Sequence, residues 1–394
     1  MSVAKTARIE SLDVLRGLVM VIMALDHVRD YFYFETWFGD PNNLATTTPI
    51  LFFTRFITNF CAPVFVFLSG TSAFLYGTNK SKKQVFNFLF TRGLWLIFLE
   101  LVVNSLIWTF DLSYSVQIVA VIFAIGVSMI CLSLLIYLPK AAIFAVGLLL
   151  VAGHNTLDGI VHSGQGLDSI VWYFLHQQAT LYVGANYTLF LYYPLIPWVG
   201  LMALGYLFGW FYQADFDREI RKKWLLIIGF ACLALFFILR GINLYGDLVP
   251  WAVQDSATKT VLSFFSTTKY PPSLLYLCLF IGPAMLFLYA IETTKNRVSN
   301  FLLVFGRVPL FYYFTHVLLI HVLAIVSILI FGGNWQDMII TNEGWRSEAL
   351  RSYGFSLLTV YLVWISVIFM LYPFCKSYMT YKLKHKNYWW LSYL

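Results

Sequence analysis

The sequence predicts an all-α fold: one polytopic membrane helix bundle of about ten transmembrane helices, with both termini in the cytoplasm. Of the 394 residues, 60% are hydrophobic and 11% are charged, and the mean hydropathy is +0.75. Average soluble domains have roughly a quarter of their residues charged and under half apolar. Because the loops are mostly too short to fold alone, residues 1–394 are predicted to form a single integral-membrane domain.

Ten apolar runs have a length near that of a bilayer span. They lie at 14–35, 50–77, 85–109, 114–138, 140–153, 188–212, 223–242, 271–292, 308–332 and 354–376. Basic loops alternate with loops poor in Lys and Arg, and basic loops stay in the cytoplasm by the positive-inside rule. This pattern orients the bundle. It also accounts for the net charge of +7, so no nucleic-acid partner is expected.

The first run carries ionisable residues within an apolar helix. Asp13 and Arg16 lie at its start, and Asp26, His27 and Asp30 lie toward its outer end. Such groups cost a few kcal/mol each in hydrocarbon and therefore mark cavities or reactive sites. Asp13 and His27 share nearly one helix face, about 21 Å apart along the axis. His27 is a candidate general base, oriented by Asp26 or Asp30; a histidine that only packs against a neighbouring helix is the alternative.

A second candidate histidine lies in the ninth run. This run opens near Arg307, and His316 lies near mid-membrane. His321 is about 140° farther round the helix, so the two histidines are not expected to serve one site. Arg307 is expected on the cytoplasmic side together with Arg16 and Arg92. These cations are either an anion site or charges that only set the topology.

The remaining polar features are the cysteines and two long outer loops. The five cysteines lie within or beside apolar runs and form no CxxC pair, so no disulfide and no metal site are predicted. The loops at 154–187 and 243–270 hold histidine, acidic and aromatic residues. Loops of this length are typically lids or binding segments. An amphipathic stretch at 170–182 is expected on the membrane surface.

Five short motifs are spread along the chain. They are Arg8-Ile-x-Ser-Leu-Asp-x-Leu-Arg-Gly17, Pro63-x-Phe-x-Phe-Leu-Ser-Gly70, Tyr193-Pro-Leu-Ile-Pro-Trp-Val-Gly200, Lys269-Tyr-Pro-Pro-Ser273 and Gly306-Arg-x-Pro-Leu-Phe-Tyr-Tyr313. Together these motifs resemble the heparan-α-glucosaminide N-acetyltransferase catalytic-domain family, and in particular its bacterial branch. The opening motif, with a histidine fourteen residues after its aspartate, is also similar to bacterial membrane acyltransferases that O-acetylate surface sugars.

The resemblance implies a transmembrane acyltransferase. Acetyl-CoA, the acyl donor and co-substrate, would bind from the cytoplasm, and the acetyl group would reach a sugar amine or hydroxyl on the outer face. The implied partners are membrane lipid, acyl-CoA and a sugar or glycan acceptor, with no metal and no nucleic acid. The expected location is the bacterial inner membrane. The acceptor, N- against O-transfer, and a monomer against a homodimer stay open.

The resemblance also implies site residues. It carries over His27, Arg16 and Asp13, the last as the group that caps or orients the cytoplasmic entrance. Acyl transfer further needs a partner for the base, cations near the CoA phosphates and exclusion of water. The residues expected in these added roles are Asp26, Asp30, His316, Arg92 and Arg307. The lysosomal enzyme's loop histidine has no counterpart, because this chain has no histidine between His27 and His154.

Two other functions fit the same residues. A transporter or flippase for a small polar or lipid-linked solute would use the polar face of the first run as a proton relay. A b-type haem protein would use His27 and His316 as axial ligands. Flux without covalent change distinguishes the first alternative, and a Soret band distinguishes the second.

Overall fold

The fold is a helix bundle in a computed structural model that describes residues 9–34, 43–184, 186–343, 353–385 and 387–392. The first helices are α1 Glu10–Phe32, α2 Pro49–Thr58, α3 Cys61–Gly77, α4 Lys82–Phe98, α5 Ser105–Thr109, α6 Val121–Leu135 and α7 Lys140–Leu148. The later helices are α8 Leu167–Leu175, α9 Leu195–Phe208, α10 Arg218–Ile242, α11 Ala257–Phe265, α12 Leu274–Ile291, α13 Arg297–Arg307, α14 Pro309–Ile330 and α15 Leu357–Lys384. Arg8, the first residue of the opening motif, lies outside the described residues.

Eight helical stretches of the described chain are long and apolar enough to cross a membrane. They are Pro49–Gly77, Lys82–Thr109, Lys140–Leu157, Leu195–Tyr212, Arg218–Ile242, Leu274–Ile291, Pro309–Ile330 and Leu357–Lys384. The two other predicted spans correspond to α1, which carries six charged residues, and to the shorter apolar helix α6. The all-α polytopic membrane bundle is thereby confirmed, while the cytoplasmic location of the termini stays a prediction.

Helix α1 lies inside the bundle and packs against α2, α3, α12, α13, α14 and α15. Its backbone touches that of α13 at two glycines. A Cβ atom on Gly17 would lie 1.9 Å from the carbonyl oxygen of Leu302, and one on Gly306 would lie 1.8 Å from that of Asp13. Only glycine permits this approach, which brings the start of α1 beside the end of α13.

A small three-stranded sheet lies among the predicted outer segments. Strand β1 is Val116–Val119, β2 is Ala179–Val183 and β3 is Tyr187–Leu191. The order is β1-β3-β2, with β1 parallel and β2 antiparallel to β3. The apolar runs at 114–138 and 188–212 thus begin as strands rather than helix. Short apolar runs do not distinguish a buried strand from a helix, and the 170–182 stretch likewise divides between α8 and β2.

The outer loop at 243–270 is held by two buried charges. The Arg240 guanidinium donates to the carbonyl oxygens of residues 249, 263, 264 and 266 at 2.5–3.0 Å. Asp247 accepts hydrogen bonds from the Thr268 amide and hydroxyl and from the Ser273 hydroxyl at 2.7–3.0 Å. Because each buried polar group is satisfied by the loop backbone or its neighbours, the loop is fixed over the end of the bundle.

Candidate active site

Two histidines from distant parts of the chain form the centre of the site. Nδ1 of His27 in α1 lies 2.7 Å from Nε2 of His316 in α14. Nδ1 of His316 lies 2.7 Å from the carbonyl oxygen of Tyr312. A carbonyl only accepts, so in the neutral pair Nδ1 of His316 carries a proton and Nε2 accepts one from Nδ1 of His27. This chain of bonds leaves the lone pair of His27 on Nε2, which is the arrangement a general base requires.

The carboxylates beside His27 contact arginines instead. Asp26 accepts from Nη1 of Arg55 at 2.6 and 2.7 Å and from Thr58 at 2.9 Å, and it pairs with Arg29 at 2.8 Å. Asp30 accepts from Arg29 at 2.8 Å. Within the described residues neither carboxylate bonds to His27, so the expectation that one of them orients its ring is wrong. Adjacent residues on a helix point about 100° apart, so Asp26 faces α2 whereas His27 faces α14.

His27 lines a polar cavity of about 770 Å³, here called the outer cavity. Asp26, Arg29, Asp30 and Arg55 line it too, together with Lys269 from the outer loop. Tyrosines and amides complete the wall at Asn59, Asn104, Gln178, Tyr192, Tyr193 and Tyr270. The cavity therefore offers many hydrogen-bond donors and acceptors to a polar ligand.

Tyr270 in the wall of the outer cavity has an altered acidity. Burial raises the pKa of its phenol, but the cations Lys269 and Arg55, together with a hydrogen bond to Tyr193, bring the pKa below its usual value. Neighbouring Tyr192 lacks this compensation, and burial raises its pKa to about 12. Tyr270 is thus the better hydrogen-bond donor of the two toward a ligand oxygen.

A second cavity of about 450 Å³, here called the inner cavity, lies toward the side predicted to face the cytoplasm. Arg16, Arg92 and Arg307 all line it, as expected if these cations form an anion site, and Lys382 joins them. The rest of its wall is mostly apolar, with Met20, Met23, Phe65, Ile122, Ile125, Met129 and Leu310. This combination suits a ligand with an anionic end and a long, weakly polar arm.

Asp13 supports the arginines of the inner cavity. Its carboxylate accepts from Nη1 of Arg16 at 2.8 Å and lies 3.7 Å from Nε of Arg307. Arg16 also donates to the Ser72 hydroxyl at 3.1 Å and to the Gly306 carbonyl at 3.3 Å. Asp13 is 3% exposed, so it acts on the cavity through the arginines.

The two cavities adjoin beside the histidine pair. Val121 and Tyr313 line both of them. The Tyr313 ring stands edge-on to His27 and to His316, with centroids 5.8 and 5.6 Å away. Its hydroxyl accepts from Nε1 of Trp108 at 3.4 Å. A group that reaches the end of the inner cavity would therefore meet Tyr313, whose ring lies beside both histidines.

Two other buried titratable groups of the spans, His321 and Glu100, bond to the backbone rather than to the histidine pair. Both ring nitrogens of His321 lie near carbonyl oxygens, those of Ile107 at 2.9 Å and Met338 at 2.8 Å, so it is separate from His316 as expected. Glu100 accepts from the Ala120 amide at 2.8 Å. The His27–His316 separation of 2.7 Å is a hydrogen bond and is too short for axial ligands of one haem iron, whose nitrogens stand about 4 Å apart at metal–nitrogen bonds of about 2.0 Å.

Several lining residues were missed by the sequence. Lys382 lies in a basic C-terminal segment whose charges suit topology alone. Tyr313 ends one of the five motifs and could have been singled out as the residue three before His316. Which cavity a residue lines depends on helix packing.

The sequence model of the heparan-alpha-glucosaminide N-acetyltransferase catalytic family matches residues 8–240, more than half of the chain. No curated protein matches the chain. The matched region contains His27, Arg16 and Arg92, whereas His316 and Arg307 lie beyond it. This multi-pass membrane protein belongs to the heparan-alpha-glucosaminide N-acetyltransferase catalytic family.

Proposed function

We propose that the protein transfers an acetyl group across the membrane, from acetyl-CoA in the inner cavity to a sugar amine or hydroxyl in the outer cavity. The observation that carries this proposal is the His27–His316 pair at the place where the two cavities adjoin. The acetyltransferase family supports the reaction type. In a bacterium the site would lie in the inner membrane, with the inner cavity open to the cytoplasm.

The inner cavity fits the donor. Acetyl-CoA has an anionic nucleotide end and a flexible, weakly polar arm that ends in the thioester. Four basic residues line this cavity, and among the described residues no acidic one does. Arginine guanidinium groups bind phosphates through charge-assisted hydrogen bonds. The phosphates would lie near Arg16, Arg92 and Arg307, and the apolar wall would guide the arm toward Tyr313.

The outer cavity fits the acceptor. A sugar presents hydroxyl groups and, in amino sugars, an amine, and each needs a hydrogen-bond partner when it is buried. The wall supplies Lys269, Gln178 and Tyr270 for this purpose. Flat aromatic faces such as Tyr192 and Tyr193 cover the apolar faces of a sugar ring.

The residues carry out a direct transfer. Nε2 of His27 takes a proton from the acceptor nitrogen or oxygen, which attacks the thioester carbonyl carbon. The new C–N or C–O bond forms, and the negative charge on the carbonyl oxygen is stabilised by the Tyr313 hydroxyl. The C–S bond then breaks, and the imidazolium returns its proton to the CoA sulfur. The products are the acetylated sugar and free CoA, so atoms and charge balance.

The experiment uses purified protein in sealed proteoliposomes. Acetyl-CoA labelled in the acetyl group is added outside, candidate amino sugars and hydroxyl sugars are enclosed, and the lumen is analysed by mass spectrometry. We expect labelled, acetylated sugar from vesicles whose inner-cavity side faces outward. Loss of sugar without covalent change would support a transporter, and the absence of product with every acceptor, together with no thermal stabilisation by CoA, would contradict acetyl transfer.

A further inference from the structure

Three side chains of the long loop after α7 form a cluster outside both cavities. They are His154 at the start of a 3₁₀ turn, Asp158 directly after that turn, and His176 at the end of α8. Nδ1 of His154 lies 3.1 Å from Nε2 of His176, which lies 3.8 Å from Oδ1 of Asp158. One ligand atom from each residue lies within 4.8 Å of the others. The chemistry of acetyl transfer uses none of them.

We propose that His154, Asp158 and His176 bind a zinc ion. Tetrahedral zinc with bonds of about 2.0–2.1 Å to histidine nitrogen and carboxylate oxygen holds its ligand atoms about 3.3 Å apart, and the distances in the cluster bracket this value. Two imidazoles and one carboxylate are a donor set of known zinc sites that keep a water in the fourth position. Water would occupy the fourth position. The sequence predicted no metal because only the cysteines were considered as ligands.

One polar atom of the cluster lacks a hydrogen-bond partner. Oδ1 of Asp158 is buried and accepts no hydrogen bond. His154 is 2% exposed and His176 is 3% exposed. No lysine or arginine of the described chain pairs with Asp158. A buried, unpaired carboxylate oxygen beside two imidazoles is costly, and a cation would remove that cost.

The second carboxylate oxygen is already oriented. Oδ2 of Asp158 accepts from Nδ2 of Asn155 at 2.9 Å, and Oδ1 of Asn155 accepts from the Leu274 amide at 3.0 Å. Such outer partners orient metal ligands and tune their affinity. They also connect the cluster to the start of α12.

A zinc ion here would organise the acceptor side of the protein. It would join the end of the Lys140–Leu157 stretch to the end of α8. Gln178 follows His176 by two residues and lines the outer cavity, as does Tyr270 shortly before Leu274. The inference does not depend on the proposed reaction, because the metal fixes loop positions and takes no part in the transfer.

A cluster held only by hydrogen bonds is the competing arrangement. Nε2 of His176 lies 2.9 Å from the carbonyl oxygen of His154 and could donate to it. Zinc requires that nitrogen to be deprotonated. The two arrangements therefore differ in zinc content and in the response of stability to zinc.

The test uses the full chain with its affinity tag removed. Protein in lipid nanodiscs is stripped with a chelator, equilibrated with Zn²⁺ and measured for zinc per chain and for thermal unfolding with and without Zn²⁺. The variants are Asp158→Asn and His176→Gln. The matched control is His162→Gln, which alters a more exposed histidine of the same loop that lies 3.4 Å from Asp168.

We expect one zinc per wild-type chain and a higher unfolding temperature with zinc. Both variants should lose affinity by about a hundredfold or more, since even outer-shell changes cost about 10- to 100-fold, whereas His162→Gln should behave as wild type. Comparing each variant with and without zinc separates binding from any general loss of stability. Equal zinc uptake by wild type and Asp158→Asn, or no uptake by wild type, would overturn the proposal.

Discussion

The inner and outer cavities differ in the balance of basic and acidic side chains along their walls. Four basic residues line the inner cavity, and among the described residues no carboxylate does. The outer cavity has three basic residues and two carboxylates, and Asp26 is shared between Arg55 and Arg29 at 2.6–2.8 Å. A cavity of one sign attracts an oppositely charged ligand, whereas paired charges leave mainly hydrogen-bonding groups. The difference favours an anionic donor on one side and a polar, weakly charged acceptor on the other.

The histidine pair lies where the two cavities adjoin, so its loss should slow acetyl transfer without preventing acetyl-CoA from binding. We expect His27→Ala to lower kcat by about 10²- to 10⁴-fold, the range typical of a lost general base. Acetyl-CoA should still stabilise the variant against heat, because the inner cavity is untouched. Steady-state kinetics and thermal shift check both points. A variant that binds CoA and retains the wild-type rate would remove His27 from the mechanism.

His316 is a positioning residue in this scheme, and its replacements should sharpen the role of the pair. His316→Phe removes the acceptor for Nδ1 of His27, so kcat should fall by about 10²-fold with little change in either KM. His316→Gln supplies an oxygen near the position of Nε2 and should recover part of that loss. The pH dependence of kcat should differ between the two variants, because only one of them fixes the His27 tautomer. Identical pH profiles and rates would indicate that His316 serves packing alone.

Much of the fold could be predicted from the sequence, because the length of an apolar run and the charge of a loop depend only on neighbouring residues. Each apolar run contains one or two of the helices, and the positive-inside rule predicted that Arg16, Arg92 and Arg307 lie on one side before any contact was known. All three line the inner cavity, which agrees with the predicted shared side but also requires that α1, α4 and α13 pack around that cavity. What that rule leaves open is whether such cations bind a ligand or only set the topology.

The partners of the reactive residues were less readable because they depend on packing between distant helices. Asp26 precedes His27 in sequence but pairs with Arg55 of α2, whereas the true ring partner, His316, is 289 residues away. Close packing of α14 on α1 creates that bond, and the hydrophobic periodicity of the sequence does not show which distant helices pack together. The β-strands were missed for a related reason, since four or five apolar residues fit a strand and a helix end equally well.

The positive charge of the inner cavity should lower the KM for acetyl-CoA. We expect Arg92→Gln to raise the KM for acetyl-CoA by about tenfold, because a hydrogen bond to a charged group contributes about 1.5–3 kcal/mol and 1.4 kcal/mol is a factor of ten. The acceptor's KM should not change. The control is Lys83→Gln, which removes a basic side chain that is exposed and does not line the cavity. If both substitutions raise the donor KM equally, the inner cavity attracts acetyl-CoA only through general surface charge.

The smallest effect is expected in the outer cavity, where two carboxylates offset two of the three cations. Lys269 lines this cavity and lies 5.2 Å from the centre of the Tyr270 ring. Lys269→Gln keeps a hydrogen-bond donor and removes one cation, so the acceptor KM should rise only about two- to fivefold, as for loss of one modest hydrogen bond of about 0.5–1 kcal/mol. The donor KM should stay unchanged, in contrast to Arg92→Gln. The matched control is Lys259→Gln. Lys259 does not line the cavity, and its Nζ forms an ion pair with Oδ2 of Asp255 at 3.1 Å. A tenfold or larger rise with Lys269→Gln would show instead that the acceptor is itself anionic, and the contrast between the cavities would then lie in their shape rather than in their charge.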